Sequence, residues 1–288
     1  MIFLENEHLI AGFNTKGAEL QKLELKSTGL DYLWKGDPAY WGKFSPVLFP
    51  IVGALKNDSY IFENKSYSLS RHGFARDKEF EVSRPADNEI IFTLRNSAET
   101  LVVYPFTFEL ALHYKLEDSG LTCTYKVNNP GEKELLFSLG GHPAFAVPFT
   151  PDTCYEDNYL LFDRDEDLFF NKIEHNLISD EQGVLTLKGS KLPLNHELFK
   201  DDALVFKSLK SEKIRLANNK NSHGLEFRFS QFPFFGIWAA PGADFVCLEP
   251  WCGVADGIHH NQQLRDKEGI QALSPGVKWE RSWHVSLF

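Results

Sequence analysis

His142 is the side chain most clearly placed for chemistry in this sequence, because two glycines and a proline flank it within the segment Phe137–Phe145. Gly140 and Gly141 permit backbone torsions that are closed to other residues, or the close approach of a ligand. Pro143 has no N–H group to give to a neighbouring strand, so it ends strand pairing. We therefore expect one imidazole at the exit of a sheet, and histidine is the side chain best suited to move protons near neutral pH. A hydrogen-bonded structural histidine is the alternative interpretation.

Glu249 ends a later apolar segment, Phe245–Leu248, and is followed by Pro250 and Trp251. A carboxyl group beside a proline and an indole is expected to be partly desolvated, which disfavours its charged form and makes it a better base. Trp251 offers a flat apolar face that suits the C–H face of a sugar ring. Glu249 therefore strengthens the prediction of acid–base chemistry at His142. A strand-end glutamate paired with a surface lysine is the alternative.

Two further segments bring charged side chains next to apolar ones. Arg71, His72 and Arg76 place two cations and an imidazole around one glycine. This segment is either part of a ligand site or a basic loop between strands. Asp202 directly precedes the apolar residues Ala203–Phe206 and is the acid of its segment that we expect to face a pocket. A solvated acid at a strand entry is the alternative there.

Two candidate metal sites are disfavoured by their spacing. One acidic run has oxygen side chains at the ligand positions of an EF-hand calcium loop, namely Asp163, Asp165, Asp167, Asn171 and Glu174. However, Leu168 stands where the loop needs a glycine, and the flanking residues resemble strands, so we expect a solvated hairpin tip. His259 and His260 are adjacent, so their rings point in opposite directions in an extended chain and form a poor metal pair. We predict no metal site.

The elements that position these residues are strands, because apolar and polar residues alternate along most of the chain. The alternation in Phe106–Leu116 and Leu121–Val127 predicts a long antiparallel hairpin that turns at Asp118–Gly120. Further strands are predicted at Leu20–Leu25, Asp31–Trp34, Tyr60–Phe62, Ser66–Leu69, Glu89–Leu94, Leu204–Phe206, Ile214–Leu216, Leu225–Phe229 and Phe245–Leu248. Helical periodicity is confined to Ala39–Lys43 and Asn195–Leu198. This pattern predicts a single all-β domain over residues 1–288, a large sandwich or barrel.

Composition excludes several functional classes. The 288 residues are 43% hydrophobic and include 25 phenylalanines, which is enough for a large core. The net charge of −10 argues against a nucleic-acid binder, although a few local cations could still hold a small anion. No apolar run is long enough to span a membrane, and we expect no secretory signal at the N-terminus. Four scattered cysteines predict free thiols, so a cytoplasmic location is expected.

Taken together and in this order, the segments resemble the aldose 1-epimerase (galactose mutarotase-like) superfamily, and most closely its lactose-operon-associated, epimerase-like branch. The resemblance covers nearly the full length and rests on Phe49–Gly53, Arg71–Arg76, Gly141–Phe145, Asp202–Leu204 and Leu248–Trp251. It implies a large antiparallel β-supersandwich with few short helices. It also implies an isomerase that interconverts the α and β anomers of an aldose without a metal or an organic cofactor.

The resemblance further implies a role for individual residues. Glu249 matches the general base that takes the proton from the anomeric hydroxyl, and His142 matches the general acid that protonates the ring oxygen. His72 and Asp202 match residues that contact the sugar. Lys56 is a loose counterpart of an arginine that touches the substrate in galactose mutarotases.

Other functions stay open at this point. In related hexose-6-phosphate 1-epimerases, an Arg-Gly-Gly segment helps to hold the phosphate; it is missing here, but Arg71 and Arg76 remain. A non-catalytic carbohydrate-binding protein on the same fold would keep Trp251 and Asp202 as binding groups, and a calcium-dependent module is a more distant alternative. The expected partner is a small-molecule sugar, bound by a monomer or homodimer, and the identity of the sugar is open.

Overall fold

Strands dominate the computed structural model, which describes residues 1–288. In chain order they are β1 (Ile2–Glu5), β2 (Leu9–Asn14), β3 (Glu19–Leu25), β4 (Leu30–Asp31), β5 (Val47–Leu48), β6 (Ser59–Phe62), β7 (Lys65–Ser68), β8 (Glu81–Ala86), β9 (Glu89–Arg95), β10 (Glu109–Glu117), β11 (Gly120–Asn128), β12 (Leu135–Phe137), β13 (Leu139–Gly141), β14 (Ala144–Ala146), β15 (Asn158–Phe162), β16 (Asp167–Glu174), β17 (Leu177–Thr186), β18 (Lys191–Pro193), β19 (Leu204–Phe206), β20 (Lys213–Asn218), β21 (Gly224–Arg228), β22 (Phe234–Trp238), β23 (Phe245–Cys252), β24 (Gln271–Leu273) and β25 (Lys278–Leu287). The helices are α1 (Ala98–Val103) and 3₁₀ turns at Lys56–Asp58, Ala75–Asp77, Tyr155–Asp157, His196–Phe199 and Leu264–Asp266.

Two large sheets organise these strands. One has nine strands in the order β18-β15-β20-β21-β25-β11-β10-β9-β8, and the other has eight, in the order β17-β16-β19-β22-β23-β13-β5 with β14 also on β23. A four-stranded sheet, β1-β2-β3-β4, and two two-stranded sheets, β6-β7 and β12-β24, complete the fold. The predicted all-β, antiparallel class with few short helices is confirmed. No helix is long and apolar enough to cross a membrane.

The long hairpin is confirmed, and its burial shows why alternation revealed it. β10 pairs with β11 from Glu109↔Asn128 to Glu117↔Gly120. Leu110, Leu112 and Tyr114 point to one face and are buried, while the residues between them are partly exposed. A sheet with one face on the core and one towards water requires this period of two.

β23 has a different pattern because all eight of its residues are buried. It extends past the predicted Phe245–Leu248 and continues through Pro250. On one side, β14 pairs with β23 as far as Cys247, and β13 resumes the pairing at Trp251. Pro250, which lacks an N–H group, therefore lies beside a gap in the pairing. His142 lies in that gap, between β13 and β14.

Two helical predictions had different outcomes. Ala39–Lys43 forms no helix, and that prediction was wrong. The N–H groups of Tyr40 and Trp41 close a turn on the carbonyl of Asp37, and the indole of Trp34 donates to the carbonyl of Trp41. These bonds close a single turn, and the carbonyl of Trp41 is used by the Trp34 indole rather than by a following helical N–H. The segment Asn195–Leu198 does contain a 3₁₀ turn, which Asn195 caps by accepting the N–H of Leu198.

The only α-helix, α1, was not predicted from the sequence. A capping box marks its start: the Ser97 side chain accepts the Thr100 N–H, and the Thr100 side chain accepts the Ser97 N–H. This sequence signal was available but weak, because threonine replaces the usual acid or amide at the third helical position.

The prediction of a solvated hairpin tip at the acidic run Asp163–Glu174 was also wrong. The run does not close a hairpin, because β15 before it and β16 after it belong to different large sheets. Asp165 is buried and accepts the N–H groups of Lys210 and Ser211. Its carboxylate therefore holds a connection between the sheets together.

Candidate active site

A cavity of about 480 Å³ opens beside β23 and the gap that contains His142. Every predicted site residue except Lys56 lines it: Arg71, His72, Arg76, His142, Asp202, Glu249 and Trp251. They come from β23, from the β13–β14 gap, from the loop between β7 and β8, and from the segment before β19. The β16–β17 hairpin supplies another wall. Residues far apart in the sequence therefore share one site.

Lys56 is the predicted residue that the structure places elsewhere. It begins the 3₁₀ turn Lys56–Asp58, and its N–H donates to a carboxylate oxygen of Asp256 at 2.9 Å. It does not line the cavity. The loose match to a substrate-contacting arginine therefore gains no support from its position.

His142 and Glu249 face each other at the cavity wall. Nε2 of His142 lies 3.2 Å from Oε2 of Glu249, and the side chains are only 9% and 2% exposed. The contact lacks hydrogen-bond alignment, and Oε2 of Glu249 is buried without a hydrogen-bond partner. Nδ1, the other ring nitrogen of His142, is also buried without one. Buried polar atoms rarely remain unpaired, so both groups keep bonding capacity that the protein does not use.

Burial shifts the pKa values of the two groups in opposite directions. It raises the pKa of the Glu249 carboxyl well above its usual range and lowers the pKa of His142 to about 3. The nearby cations Arg71 and Arg76 also disfavour a charged imidazole. Burial therefore favours the uncharged form of both groups, a protonated carboxyl group at Glu249 and a neutral imidazole at His142. Moving the carboxyl proton across the 3.2 Å contact would give a carboxylate and an imidazolium.

His72 is held by the main chain of Gly53. The Gly53 N–H donates to Nδ1 of His72 at 3.1 Å, and the His72 N–H donates to the Gly53 carbonyl. Burial lowers the pKa of His72 well below its usual range, so the ring is neutral and can accept at one nitrogen only. We assign that role to Nδ1, because the Gly53 N–H is buried main chain, whereas the competing donor Arg71 has a side chain that is 44% exposed and can turn away; Nε2 then carries the proton.

Arg71 is a second donor that faces the His72 ring. Its Nε–H points at Nε2 of His72 at 3.2 Å, and a neutral imidazole can accept from only one of its two donors, Gly53 or Arg71. The guanidinium also donates to Asn176 at 2.9 Å and lies 3.7 Å from Asp202. Its side chain is 44% exposed. A ligand oxygen could therefore replace the Arg71–His72 contact and accept from both groups.

Arg76 is a second cation of the cavity. It donates to the carbonyl of Arg71 at 2.8 Å, while its Nε is buried without a hydrogen-bond partner. Burial lowers the pKa of Arg76, because its charge is only partly compensated. This cationic group can pair with an oxygen-rich ligand.

Close packing explains the two glycines of β13, Gly140 and Gly141. A Cβ atom at Gly140 would lie 2.5 Å from the Trp251 indole, and one at Gly236 on β22 would also lie 2.5 Å from it. At Gly141 the obstacle is the Tyr125 hydroxyl, again at 2.5 Å. Close approach of protein side chains, rather than unusual torsions, therefore explains these glycines.

Two tryptophans of the site were missed by sequence reasoning. Trp41 stacks on the His142 ring at 4.9 Å between centroids, and Trp238 meets that ring edge-on at 5.8 Å. Both line the cavity. No local signal marks them, because Trp41 lies in an irregular segment and Trp238 reaches the site through the pairing of β22 with β23.

His142, Cys247 and Glu249 are the one group whose donor atoms lie close enough to suggest a metal, within 4.8 Å of one another. Cys247 does not line the cavity, and burial raises the pKa of its thiol well above its usual range. Metals bind the thiolate, which this environment disfavours. The donor set is thus poorly suited to a metal.

Comparison with known proteins identifies the family. The aldose 1-epimerase family profile matches residues 1–280. Protein LacX of Lactococcus lactis is 32% identical over 99% of both chains. Among solved structures, a galactose mutarotase related enzyme from Lactobacillus acidophilus is 32% identical, with a TM-score of 0.95 over 100% of this chain and 97% of the other. A galactose mutarotase-like protein from Lactobacillus casei is 33% identical, with a TM-score of 0.91 over 100% of both chains. The chain belongs to the aldose 1-epimerase family.

Proposed function

We propose that this protein interconverts the α and β anomers of an aldose by acid–base opening and reclosure of the ring. The observation that carries the proposal is the buried contact of 3.2 Å between His142 and Glu249 at the cavity wall. The anomeric hydroxyl and the ring oxygen are bonded to the same carbon. Acid and base must therefore converge on nearly one point, each within about 2.6–3.2 Å of its oxygen.

One proton passed between Glu249 and His142 matches the proton balance of the reaction. Glu249, as carboxylate, takes the proton from the anomeric hydroxyl, and His142, as imidazolium, protonates the ring oxygen. The bond between the anomeric carbon and the ring oxygen breaks, and the anomeric oxygen becomes a carbonyl. After rotation about the adjacent carbon–carbon bond, the same transfers run in reverse on the other face. No net proton is gained or lost.

The ionic form of Glu249 and His142 that these steps require differs from the uncharged form that burial favours by one proton transfer across the same contact. A bound sugar supplies hydroxyl groups that can hydrogen-bond to the carboxylate and imidazolium, which stabilises charge that burial alone disfavours. The family-derived roles of Glu249 as base and His142 as acid thus fit a pair that exchanges its proton.

The remaining groups serve as binding groups. The N–H of His72 and the guanidinium of Arg71 offer donors, and Asp202 offers an acceptor for sugar hydroxyls. The aromatic surface of Trp251 suits the C–H face of the ring.

A phosphorylated aldose is the second candidate substrate, and the buried, unpartnered Nε of Arg76 is the observation that favours it. Arg71 and Lys200 also line the cavity, so three cations are available to a phosphate group. In this case the reaction at the anomeric carbon is unchanged.

One-dimensional exchange NMR tests the proposal. Freshly dissolved α-glucose, α-galactose and their 6-phosphates are followed with wild type, His142→Ala, Glu249→Ala and Arg76→Met. We expect wild type to accelerate exchange, the first two variants to lose the acceleration, and Arg76→Met to lose it selectively for phosphates if those are the substrates. Acceleration that survives His142→Ala and Glu249→Ala contradicts the assignment. Sugar binding without any acceleration favours a non-catalytic carbohydrate-binding protein.

A further inference from the structure

A second buried pair of opposite charges lies behind the cavity. Nζ of Lys267 is 3.0 Å from Oδ1 of Asp256, and both side chains are 0% exposed. Neither residue lines the cavity. Moving two charges out of water is costly, and apolar side chains of similar volume often stabilise a fold as well or better. A buried pair of this kind therefore needs a reason beyond stability, and its hydrogen bonds supply one.

Asp256 ties together two cavity walls. Its Oδ2 accepts the N–H of Lys56 at 2.9 Å, and its own N–H donates to the carbonyl of Ala54 at 2.9 Å. Its carbonyl accepts the N–H of Ile178 on β17, also at 2.9 Å. Ile178 lines the cavity. The Asp256 carboxylate thus holds the main chain after Gly53 through Lys56, while the main chain of Asp256 binds Ala54 and the start of the β17 wall.

Gly53 carries this restraint to His72. It has a φ of +72°, and a Cβ atom there would lie 2.5 Å from Ala255, next to Asp256. The turn at Gly53 therefore packs closely against the chain next to Asp256. The Gly53 N–H competes with Nε of Arg71 for the His72 ring, so the position of this turn bears on which ring nitrogen carries the proton.

We propose that Asp256 and Lys267 are positioning residues: they hold the Gly53 main chain so that His72 presents Nε2–H to the ligand. Neither residue touches the ligand. The proposal rests on the proposed function for the identity of that ligand, but the orientation and tautomer of His72 are properties of the free protein.

The double variant Asp256→Ala/Lys267→Met tests the pair, because it removes both charges together with the side-chain acceptor of the Lys56 N–H. Nitrogen-15 NMR of the imidazoles, with His72 assigned through His72→Gln, should show a single Nε2–H tautomer in wild type and a mixture of tautomers in the double variant. In exchange kinetics, KM should rise on the order of tenfold, as expected for a small displacement of a binding group. The value of kcat should change little, because His72 contacts the sugar throughout the reaction.

The matched control is Glu63→Gln/Lys133→Met, which neutralises an exposed pair with an N···O distance of 2.9 Å. It should leave the His72 spectrum, KM and kcat unchanged. If Asp256→Ala/Lys267→Met does not fold, Asp256→Asn/Lys267→Met replaces it and should show a smaller change in the same direction, because a neutral amide oxygen accepts more weakly than a carboxylate. A folded variant with wild-type His72 tautomer and wild-type KM overturns the proposal. Should wild type exchange no sugar, the proposed function fails, while the His72 spectra still decide the role of the pair.

Discussion

This structure contains two buried acid–base pairs, which differ in how completely their polar atoms are bonded. Asp256 and Lys267 are fully buried and well bonded, with both carboxylate oxygens in use. His142 and Glu249 are nearly as buried, yet each keeps a polar atom without a hydrogen-bond partner. Burial by itself therefore does not distinguish the two pairs. We propose that the pair with unused bonding capacity (the open pair, His142 and Glu249) is reactive, and that the fully bonded pair (the bonded pair, Asp256 and Lys267) supports the site.

The largest expected effect is the loss of activity on removing the carboxyl group of the open pair. Glu249→Gln should lower kcat by about 10²–10⁴, the usual contribution of general acid–base catalysis. At about pH 4.5 and below the free energy of unfolding should change little, because an amide replaces an uncharged carboxyl group; at higher pH the variant should be the more stable protein, since the raised pKa of Glu249 costs wild type stability there. Exchange NMR and urea denaturation measure the two quantities. A variant that loses activity only because it unfolds would not support the contrast.

For the bonded pair, Asp256 and Lys267, the expected effect is a loss of stability. Asp256→Ala leaves Lys267 buried and unpaired and should lower the free energy of unfolding by about 3–5 kcal/mol. Asp256→Asn/Lys267→Met should recover most of this loss, because no uncompensated charge remains. Urea denaturation of the three proteins provides the comparison. A loss below about 1 kcal/mol for Asp256→Ala would mean that the pair is not needed to hold the turn.

The open pair should also shape the pH dependence of stability. The pKa of His142 is lowered from 6.5 to about 3, so the stability linked to it is present above pH 6.5 and is lost as the pH falls. The pKa of Glu249 is raised from 4.5, so its contribution is present below pH 4.5 and is lost as the pH rises. Each group can contribute a slope of up to about 1.4 kcal/mol per pH unit.

Urea denaturation between pH 4 and 8 checks these signs. His142→Asn should flatten the loss of stability between about pH 6.5 and 4, and Glu249→Gln should flatten the loss above about pH 4.5. Parallel curves for wild type and both variants would show that neither group changes its pKa on folding.

A smaller effect is expected from the aromatic support of the open pair. Trp41→Ala removes the ring that stacks on His142 and should lower kcat/KM by about two- to tenfold, in line with about 0.5–1.5 kcal/mol for a stacked pair. Trp41→Phe should retain most of the activity. Equal activity of the alanine variant and wild type would leave the orientation of His142 to its strand gap alone.

The smallest effect concerns Lys56, whose main chain, not its side chain, binds Asp256. Lys56→Met keeps that main-chain donor, so kcat/KM should stay within about twofold of wild type. A large loss in exchange kinetics would restore the expectation that its side chain contacts the sugar.

Much of the fold was predictable because its sheets expose one face to water. The β10–β11 hairpin follows directly from alternation, whereas β23 shows none because both of its faces are buried. Its continuation through Pro250 depends on a gap in the neighbouring strands, which no local pattern encodes.

The candidate site was predictable where side-chain chemistry and sequence context coincide, as at His142, Glu249 and His72. Trp41 and Trp238 reach the cavity only through tertiary packing and strand pairing. The Asp256–Lys267 pair is similarly hidden, because an acid and a lysine in surface-like sequence become fully buried only in the folded chain.

A crystal structure with a soaked aldose tests the central claim most directly. The account predicts that Glu249 and His142 flank one anomeric carbon, with the carboxyl group and the imidazole each within about 2.6–3.2 Å of the anomeric hydroxyl or the ring oxygen. A sugar bound in the cavity with its anomeric carbon turned away from both side chains would contradict it.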